Sequence, residues 1–460
     1  MKNIRLLLVF TAYFNIVILT AQALAIPSSS EKNSKSFIDF CKQKAKLSSE
    51  TKYTVDFLLQ RVNTPDCEKA NQKLRSLTKI DIKYSKITDI TPLTGLINLT
   101  ELDLTANKIS DITSITGLKN LTYLNLASNK IININSISGL QNLTYLNLES
   151  NQITDIKPIS QLTKLTYLNL DTNQVNEVKS LSKLTNLNTL YLGANKISEI
   201  KSLSNLNNLT ELWLHKNQIS DIKPLSSLTK LTKLALSNNK IADITPISGL
   251  INLTSLSFSN NGEISDIKPL SRLTKLTDLG LGFNQVKDIK PLSELIKLTR
   301  LRLNNNNVND IKPLMRLTNL TVLDVSSNQI NNIEPLFKLG NLDFLVLSNN
   351  KISDIKPLSG LSKLTQLSLS YNQINNVKPL ARLIKLKNLE LDSNTITDIE
   401  PLTQLANLNT LSIADNQITD IKSLSNLNMK SLYLLYIPNN PIRDKICPIK
   451  SGGCIFETPS

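Results

Sequence analysis

Apolar residues recur along this chain with a period of 22 residues. One copy, residues 143–164, reads LTYLNLESNQITDIKPISQLTK, and the consensus is LxxLxLxxNxIxDIxPLxxLxx. Sixteen full copies follow one another from Leu77, and a truncated copy begins at Leu432. The copy at Leu253 carries one extra residue and the copy at Leu408 carries two. A fixed period of this length is typical of a repeat architecture in which each unit stacks on its neighbours.

The spacing of apolar positions changes within each copy. Positions 1, 4 and 6 are apolar, and the outward position 5 between the last two predicts a short β-strand. Positions 11, 14, 17 and 20 are apolar at every third residue, which favours a 3₁₀ turn or an extended arc over a long α-helix. A single copy cannot bury about seven apolar side chains alone, so the copies must stack around one continuous core.

Two polar positions are also periodic. Position 9 is Asn in sixteen copies, from Asn107 to Asn440, and Ser85 replaces it in the first copy. A side-chain amide can satisfy both donors and acceptors of a turn backbone, so we expect a stacked asparagine ladder with a structural role. Position 16 is mostly Pro or Ser, and both residues suit the first turn of a short helix.

This repeat resembles the 22-residue class of leucine-rich repeats, and most closely the internalin-like proteins of bacteria, over residues 77 to about 442. The resemblance implies an α/β fold, a right-handed curved leucine-rich-repeat solenoid. It places a parallel β-sheet on the concave face and 3₁₀ or irregular turns on the convex face. It also implies that ligands, usually proteins, bind to the concave face.

Residues 1–25 have the layout of a signal peptide. Lys2 and Arg5 precede an apolar stretch over residues 6–19, and a small-x-small cleavage site ends at Ala25. An uncleaved N-terminal membrane anchor is the alternative, although Asn15 interrupts a stretch that is short for a spanning helix. We assign residues 26–36 to a flexible linker and expect no membrane insertion after cleavage.

Four cysteines lie near the two ends of the chain. We assign residues 37–76 to a helical N-terminal cap and residues 443–460 to a C-terminal cap, because the ends of a solenoid expose strand edges and core side chains. An exported chain favours the disulfides Cys41–Cys67 and Cys447–Cys454, since other pairings would join opposite ends of a long rod. Free or metal-binding thiols are the alternative, but CxxC spacing is missing and we expect no metal site.

The register predicts which side chains face the concave solvent, namely positions 2, 3, 5, 7 and 8. Five aromatic rings occupy such positions in five consecutive copies, and at a strand spacing of about 4.8 Å they should form a stripe of roughly 20 Å. The stripe and the polar residues beside it are Tyr123, Tyr145, Tyr167, Tyr191 and Trp213, with Glu211, His215 and Lys216. Exposed aromatic clusters indicate binding sites, whereas stacking that only stabilises the sheet is the alternative.

A second concave patch is predicted further along the repeats, with more scattered spacing. Its residues are Phe283, Arg300, Arg302, Phe344 and Tyr371, with Val346 beside them.

Charge separates the two faces. The chain carries a formal net charge of +15, yet the predicted concave positions hold twelve acids and seven bases. Phosphate binding needs a clustered positive field, so we expect no nucleic-acid partner there. The excess of bases falls on the convex side, where ten copies carry Lys at position 15. That ridge is either a solubilising surface or a site of adhesion to anionic polysaccharide.

No catalytic motif stands out. The sequence holds one histidine, His215, and lacks a Gly-rich phosphate loop, a GxSxG elbow and an HExxH helix. We therefore predict a binding protein without a cofactor rather than an enzyme. The predicted function is a secreted, periplasmic or surface module, monomeric, that recognises a protein on its concave face. The alternatives are a carbohydrate- or envelope-binding scaffold and an intracellular regulator similar to the phosphatase-binding members of this repeat class.

Overall fold

The computed structural model describes residues 36–426, 431–449 and 453–457. The predicted signal peptide and all but the last residue of the predicted linker therefore lie outside the described residues. Three α-helices come first, α1 (Phe37–Lys42), α2 (Ser49–Arg61) and α3 (Cys67–Ser76). Each later copy contributes a three-residue strand and a short 3₁₀ helix, because only positions 3 to 5 alternate as a strand requires.

Each strand pairs in parallel with the next one along the chain, which gives one open, curved sheet of eighteen described strands. The strands β1 to β18 are Lys79–Asp81, Glu101–Asp103, Tyr123–Asn125, Tyr145–Asn147, Tyr167–Asn169, Thr189–Tyr191, Glu211–Trp213, Lys233–Ala235, Ser255–Ser257, Asp278–Gly280, Arg300–Arg302, Val322–Asp324, Phe344–Val346, Gln366–Ser368, Asn388–Glu390, Thr410–Ser412, Leu434–Tyr436 and Gly453–Ile455. The predicted fold class, a leucine-rich-repeat solenoid, is confirmed.

The 3₁₀ helices of the repeats lie on the opposite side of the solenoid from the sheet. One further 3₁₀ helix, the first in the list below, precedes α2 in the N-terminal cap. They are Lys44–Lys46, Thr91–Leu93, Thr113–Ile115, Asn135–Ile137, Lys157–Gln161, Lys179–Leu181, Lys201–Leu203, Lys223–Leu225, Thr245–Gly249, Lys268–Arg272, Lys290–Leu292, Lys312–Arg316, Glu334–Lys338, Lys356–Gly360, Lys378–Arg382, Glu400–Gln404 and Lys422–Asn426. The Asp at position 13 starts many of these turns: the Asp155 carboxylate accepts the Lys157 N–H at 2.8 Å.

The core is a single column of stacked Leu, Ile and Val side chains. In the copy that begins at Leu143, the seven apolar positions are each at most 2% exposed; they are Leu143, Leu146, Leu148, Ile153, Ile156, Ile159 and Leu162. The same positions are buried in the neighbouring copies, so the column runs without interruption along the described repeats. This burial supplies the main driving force for stacking the copies.

Three side-chain ladders link each copy to the preceding one. At position 9, the Asn129 amide donates to the Leu126 and Leu104 carbonyls and accepts the Ile109 N–H at 3.0 Å. The sequence predicts this ladder but not the other two. The position 2 hydroxyls donate to the position 2 carbonyl of the copy before, and the position 22 asparagines, such as Asn142, donate to the preceding turn. Backbone groups that no regular helix could satisfy are paired in this way.

Position 8 adopts the left-handed backbone conformation in every described copy. Its φ lies between 50° and 59°, although none of these residues is glycine. The extra residue of the copy at Leu253 is absorbed nearby, where Gly262 has a φ of 83° and its N–H donates to the Asn284 side chain. Glycine is the residue that adopts such a φ without a steric cost, so the insertion leaves the sheet register intact.

Disulfides close both ends, as predicted. Cys41 and Cys67 join α1 to α3 with a Cα–Cα distance of 5.7 Å, and Cys447 and Cys454 are joined at 5.6 Å. Cys454 lies in β18, which extends the sheet beyond the last recognisable repeat.

The N-terminal helices also attach to the first copy. The Thr54 hydroxyl of α2 donates to the Asp89 carbonyl at 2.6 Å, while Val55 and Leu58 are buried. No helix within the described ranges is long and apolar enough to cross a membrane.

Candidate binding face

The three tyrosines at position 3 form a stacked column on the outer surface of the sheet. Register places Tyr123 opposite Tyr145 and Tyr145 opposite Tyr167. Both ring pairs have centroids 4.3 Å apart and interplanar angles of 11° and 8°. Their neighbours at position 4 point into the core, so the rings lie outside the apolar column and are half-buried by one another.

The column continues diagonally onto position 5 of the next two strands. The Tyr167 and Tyr191 rings are tilted, with centroids 5.7 Å apart, and Tyr191 stacks on Trp213 at 5.6 Å. These five residues are called the aromatic ladder below. The structure thus brings the whole predicted stripe together as one chain of ring contacts.

His215 and Lys216 follow Trp213 at the end of the ladder. The His215 ring meets the indole edge-on, with centroids 6.4 Å apart. It lies over Gly193, where a side chain would collide with the imidazole. Burial, and then the charge of Lys216, lowers the pKa of His215, so the imidazole is neutral at neutral pH. Lys216 is exposed in the left-handed turn.

The polar atoms of the ladder are partly removed from water. Burial raises the pKa of Tyr123 to about 12 and also raises the pKa values of Tyr167 and Tyr191. These hydroxyls therefore stay protonated and can donate hydrogen bonds at neutral pH. The Trp213 indole Nε1 is buried and finds no hydrogen-bond partner among the described residues.

Three carboxylates lie beside the ladder, and they differ in whether they form an ion pair. Glu211 forms an ion pair with Lys233 at 3.0 Å. Asp171 instead accepts the Gly193 N–H, and Glu149 accepts the Asn169 side-chain amide at 3.1 Å. Burial first, and then the charge of Glu149, raises the pKa of Asp171 to about 6. The repeat register places all three acids on the concave face, but it does not determine which of their carboxylates form ion pairs.

The second predicted patch is less continuous. Arg300 and Arg302 both contact Asp278, with N–O distances of 2.8 and 3.5 Å. Phe344 is half-buried on β13, two strands beyond the arginines.

Phe283 and Tyr371 lie instead in the left-handed turns that follow β10 and β14, where they are 48% and 55% exposed. No ring-to-ring contact joins Phe283, Phe344 and Tyr371 in the part of the chain that the structure describes. The structure therefore joins only the two arginines of this patch, through Asp278.

This geometry defines a repeat solenoid that offers a broad open sheet instead of an enclosed cavity. Models of the leucine-rich-repeat family agree with that class. One, described as two copies of leucine-rich repeats, matches residues 119–161, 141–183, 207–249, 251–294, 296–338, 340–382 and 384–426. A second leucine-rich-repeat model matches residues 75–131. Because the matches span more than half of the chain, it belongs to the leucine-rich-repeat family.

Solved structures place it more narrowly among internalin-like proteins. The internalin InlF of Listeria monocytogenes is 38% identical over 68% of this chain and 86% of its own, with a TM-score of 0.61. A leucine-rich-repeat protein of Leptospira interrogans is 27% identical over 83% of this chain and 94% of its own, with a TM-score of 0.66.

The functional domain of InlJ from Listeria monocytogenes is 26% identical over 79% of this chain and 74% of its own, with a TM-score of 0.61. That domain includes a cysteine ladder, whereas the repeats of the present chain hold no cysteine and carry the asparagine ladder. A search of curated proteins gives no match.

Proposed function

We propose that this chain is a secreted recognition module that holds a protein partner against its aromatic ladder. The observation that carries the proposal is the unbroken chain of five rings, joined by four ring contacts, on an open, solvent-facing sheet. Tyrosine and tryptophan are enriched at the energetic centres of protein interfaces, because they bury a large area while losing few rotamers.

Two features favour binding over a ladder that only stabilises the sheet. Cross-strand stacking accounts for the column from Tyr123 to Tyr167, but not for the change from position 3 to position 5 at Tyr191 and Trp213. The unpartnered Trp213 Nε1 also has a desolvation cost that a purely stabilising ring such as Phe would avoid.

Export from the cytoplasm is part of the same proposal. Residues 1–25 read as a signal peptide, and both disulfides belong to an oxidising compartment. Similarity to internalin InlF supports an extracellular or surface location.

The test compares the full chain with a ladder variant in which Tyr145, Tyr167 and Trp213 are replaced by Ala. Partners captured from extracellular and envelope extracts are identified, purified and titrated. Because each interface ring at a hot spot contributes about 2 kcal/mol or more, the ladder variant should bind the partner at least roughly 100-fold more weakly. The matched control replaces three position 3 residues of β14 to β16 by Ala; they are Gln366, Asn388 and Thr410.

A ladder variant that keeps its far-UV spectrum and its affinity for the partner refutes the proposal and leaves the rings a structural role. Capture of glycans on an array, lost in the same variant, would reassign the face to carbohydrate. Binding that survives the substitutions but disappears in high salt would move the site to the exposed position 15 lysines, such as Lys157 and Lys179.

A further inference from the structure

Many charged side chains of the concave face neutralise one another. The ion pairs are Lys79–Glu101, Lys83–Asp81, Lys83–Asp103, Lys233–Glu211, Arg300–Asp278 and Arg302–Asp278. They lie on both sides of the ladder, so these stretches of the face present little uncompensated charge to a partner.

Seven of the twelve concave acids form no ion pair with a lysine or arginine within the described residues, and of these seven Glu149 and Asp171 belong to the copies that carry the ladder. These two carboxylates occupy position 7 of consecutive copies. Their contacts are the Asn169 amide and the Gly193 N–H. Two like charges on adjacent copies destabilise each other: partial burial raises the pKa of Asp171, and the charge of Glu149 adds to that effect. A third group of positive charge would relieve that repulsion.

The surroundings suit a cation that also has a flat or apolar part. The two copies that carry these carboxylates also carry the rings of Tyr145 and Tyr167, and Tyr191 follows on the next strand. The His215 ring closes the far side, over the same Gly193 whose N–H binds Asp171. Because the lowered pKa of His215 keeps it neutral, it does not provide the missing charge.

An aspartate elsewhere in the chain shows what a purely structural residue at this position looks like. Asp392 also occupies position 7, and it likewise accepts a backbone N–H of the next copy, from Ala414 at 2.8 Å. It receives two hydroxyl donors as well, Ser412 at 2.6 Å and Ser370 at 3.3 Å. Among the described residues no hydroxyl donates to Asp171, so its carboxylate keeps accepting capacity that these residues do not use.

Building on the proposed function, we infer that the protein partner presents an arginine side chain to the Glu149 and Asp171 carboxylates, alongside the rings of Tyr167 and Tyr191. A guanidinium matches this site better than an ammonium, because it binds carboxylates through two parallel hydrogen bonds and stacks on aromatic faces. The chain as a whole carries a net charge of +15, so its overall charge repels a basic segment. Binding of an arginine would therefore depend on the local contacts with these two carboxylates.

The test uses capped hexa-arginine as the probe, titrated into the full chain by calorimetry. Trp213, the only tryptophan of the sequence, reports fluorescence changes at the ladder. We expect saturable binding that weakens roughly tenfold or more in the variant Glu149→Gln/Asp171→Asn, since a close charge pair is lost. Asp392→Asn is the matched control and should bind as the parent does. Capped hexa-lysine should bind more weakly, and hexa-glutamate should not bind.

The inference is wrong if hexa-arginine fails to bind, or if it binds the double variant as tightly as the parent. Failure of the arginine inference is distinguishable from failure of the proposed function. A purified partner that loses affinity for the ladder variant, but not for Glu149→Gln/Asp171→Asn, would uphold recognition at the ladder and reject the arginine contact.

Discussion

The asparagine ladder offers a sharp test of how the solenoid is held together. Asn306 is 8% exposed at position 9. Its side-chain amide donates to the Leu303 and Leu281 carbonyls at 2.9 and 3.0 Å, and its oxygen accepts the Val286 N–H at 2.9 Å. One short side chain therefore satisfies backbone groups of two consecutive copies.

Replacing Asn306 by Ala leaves these buried groups without that partner. The Leu281 and Leu303 carbonyls still accept from the Asn284 and Asn328 side chains, so of the three groups the Val286 N–H alone is left unsatisfied. An unsatisfied buried donor costs about 1–3 kcal/mol, and the free energy of unfolding should fall by about that amount. Asn319→Ala removes the same chemical group from position 22 of the same copy. The Asn319 amide makes one exposed bond, to the Ile296 carbonyl at 2.8 Å, and water can replace it. Its loss should cost less than about 1 kcal/mol.

Urea unfolding followed by far-UV circular dichroism measures both losses, and hydrogen exchange at the Val286 amide reports the local effect. Exchange at Val286 should accelerate in Asn306→Ala and stay unchanged in Asn319→Ala. Equal destabilisation by the two substitutions would refute the reasoning, because burial of the backbone partners is the difference that separates them.

Three further predictions concern the cap, the turn and a buried acid. The double substitution Cys41→Ser/Cys67→Ser should lower the free energy of unfolding by about 3 kcal/mol, as expected for a 26-residue separation, and an unchanged urea midpoint would contradict this. Ser128 has a φ of 56°, so Ser128→Val should destabilise by about 1 kcal/mol or more while Ser128→Gly should not; equal urea midpoints would contradict this. The pKa of Asp171, raised to about 6, means that the folded state binds this proton more tightly than the unfolded chain. That stabilisation is complete below about pH 4 and is lost as the pH rises through 6, so the parent should weaken over this range relative to Asp171→Asn, and parallel pH profiles would argue against it.

The core and the sheet register follow directly from the sequence. Apolar positions such as Leu146 and Ile153 recur in phase, and repetition removes the ambiguity that a single strand or turn would leave. The last strand, Gly453–Ile455, lacks that pattern, so the period cannot predict it. The hydroxyl and position 22 ladders were also missed, because Thr144 fits strand propensity and Asn142 carries no apolar signal.

The ladder was predictable for the same reason, since register alone brings Tyr145 and Tyr167 to adjacent strands. Register does not set rotamers, so the tilt at Tyr191 and the position of His215 over Gly193 had to come from the structure. The second patch shows what the repeat register leaves undetermined. Residues that share the concave side need not touch, as Phe283 in its left-handed turn illustrates.

In a repeat solenoid, the residues that determine folding are largely different from the residues exposed on the concave face. Each copy is fixed by its core positions and ladders, which are nearly the same on the strands of Tyr145 and of Gln366. Side chains at positions 3, 5 and 7 can therefore change without altering the backbone that carries them. Under the proposed function, departures from the consensus at these positions, rather than the consensus itself, determine which partner binds. For this physical reason we expect alanine substitutions in the aromatic ladder to change the affinity for a partner while the solenoid stays folded.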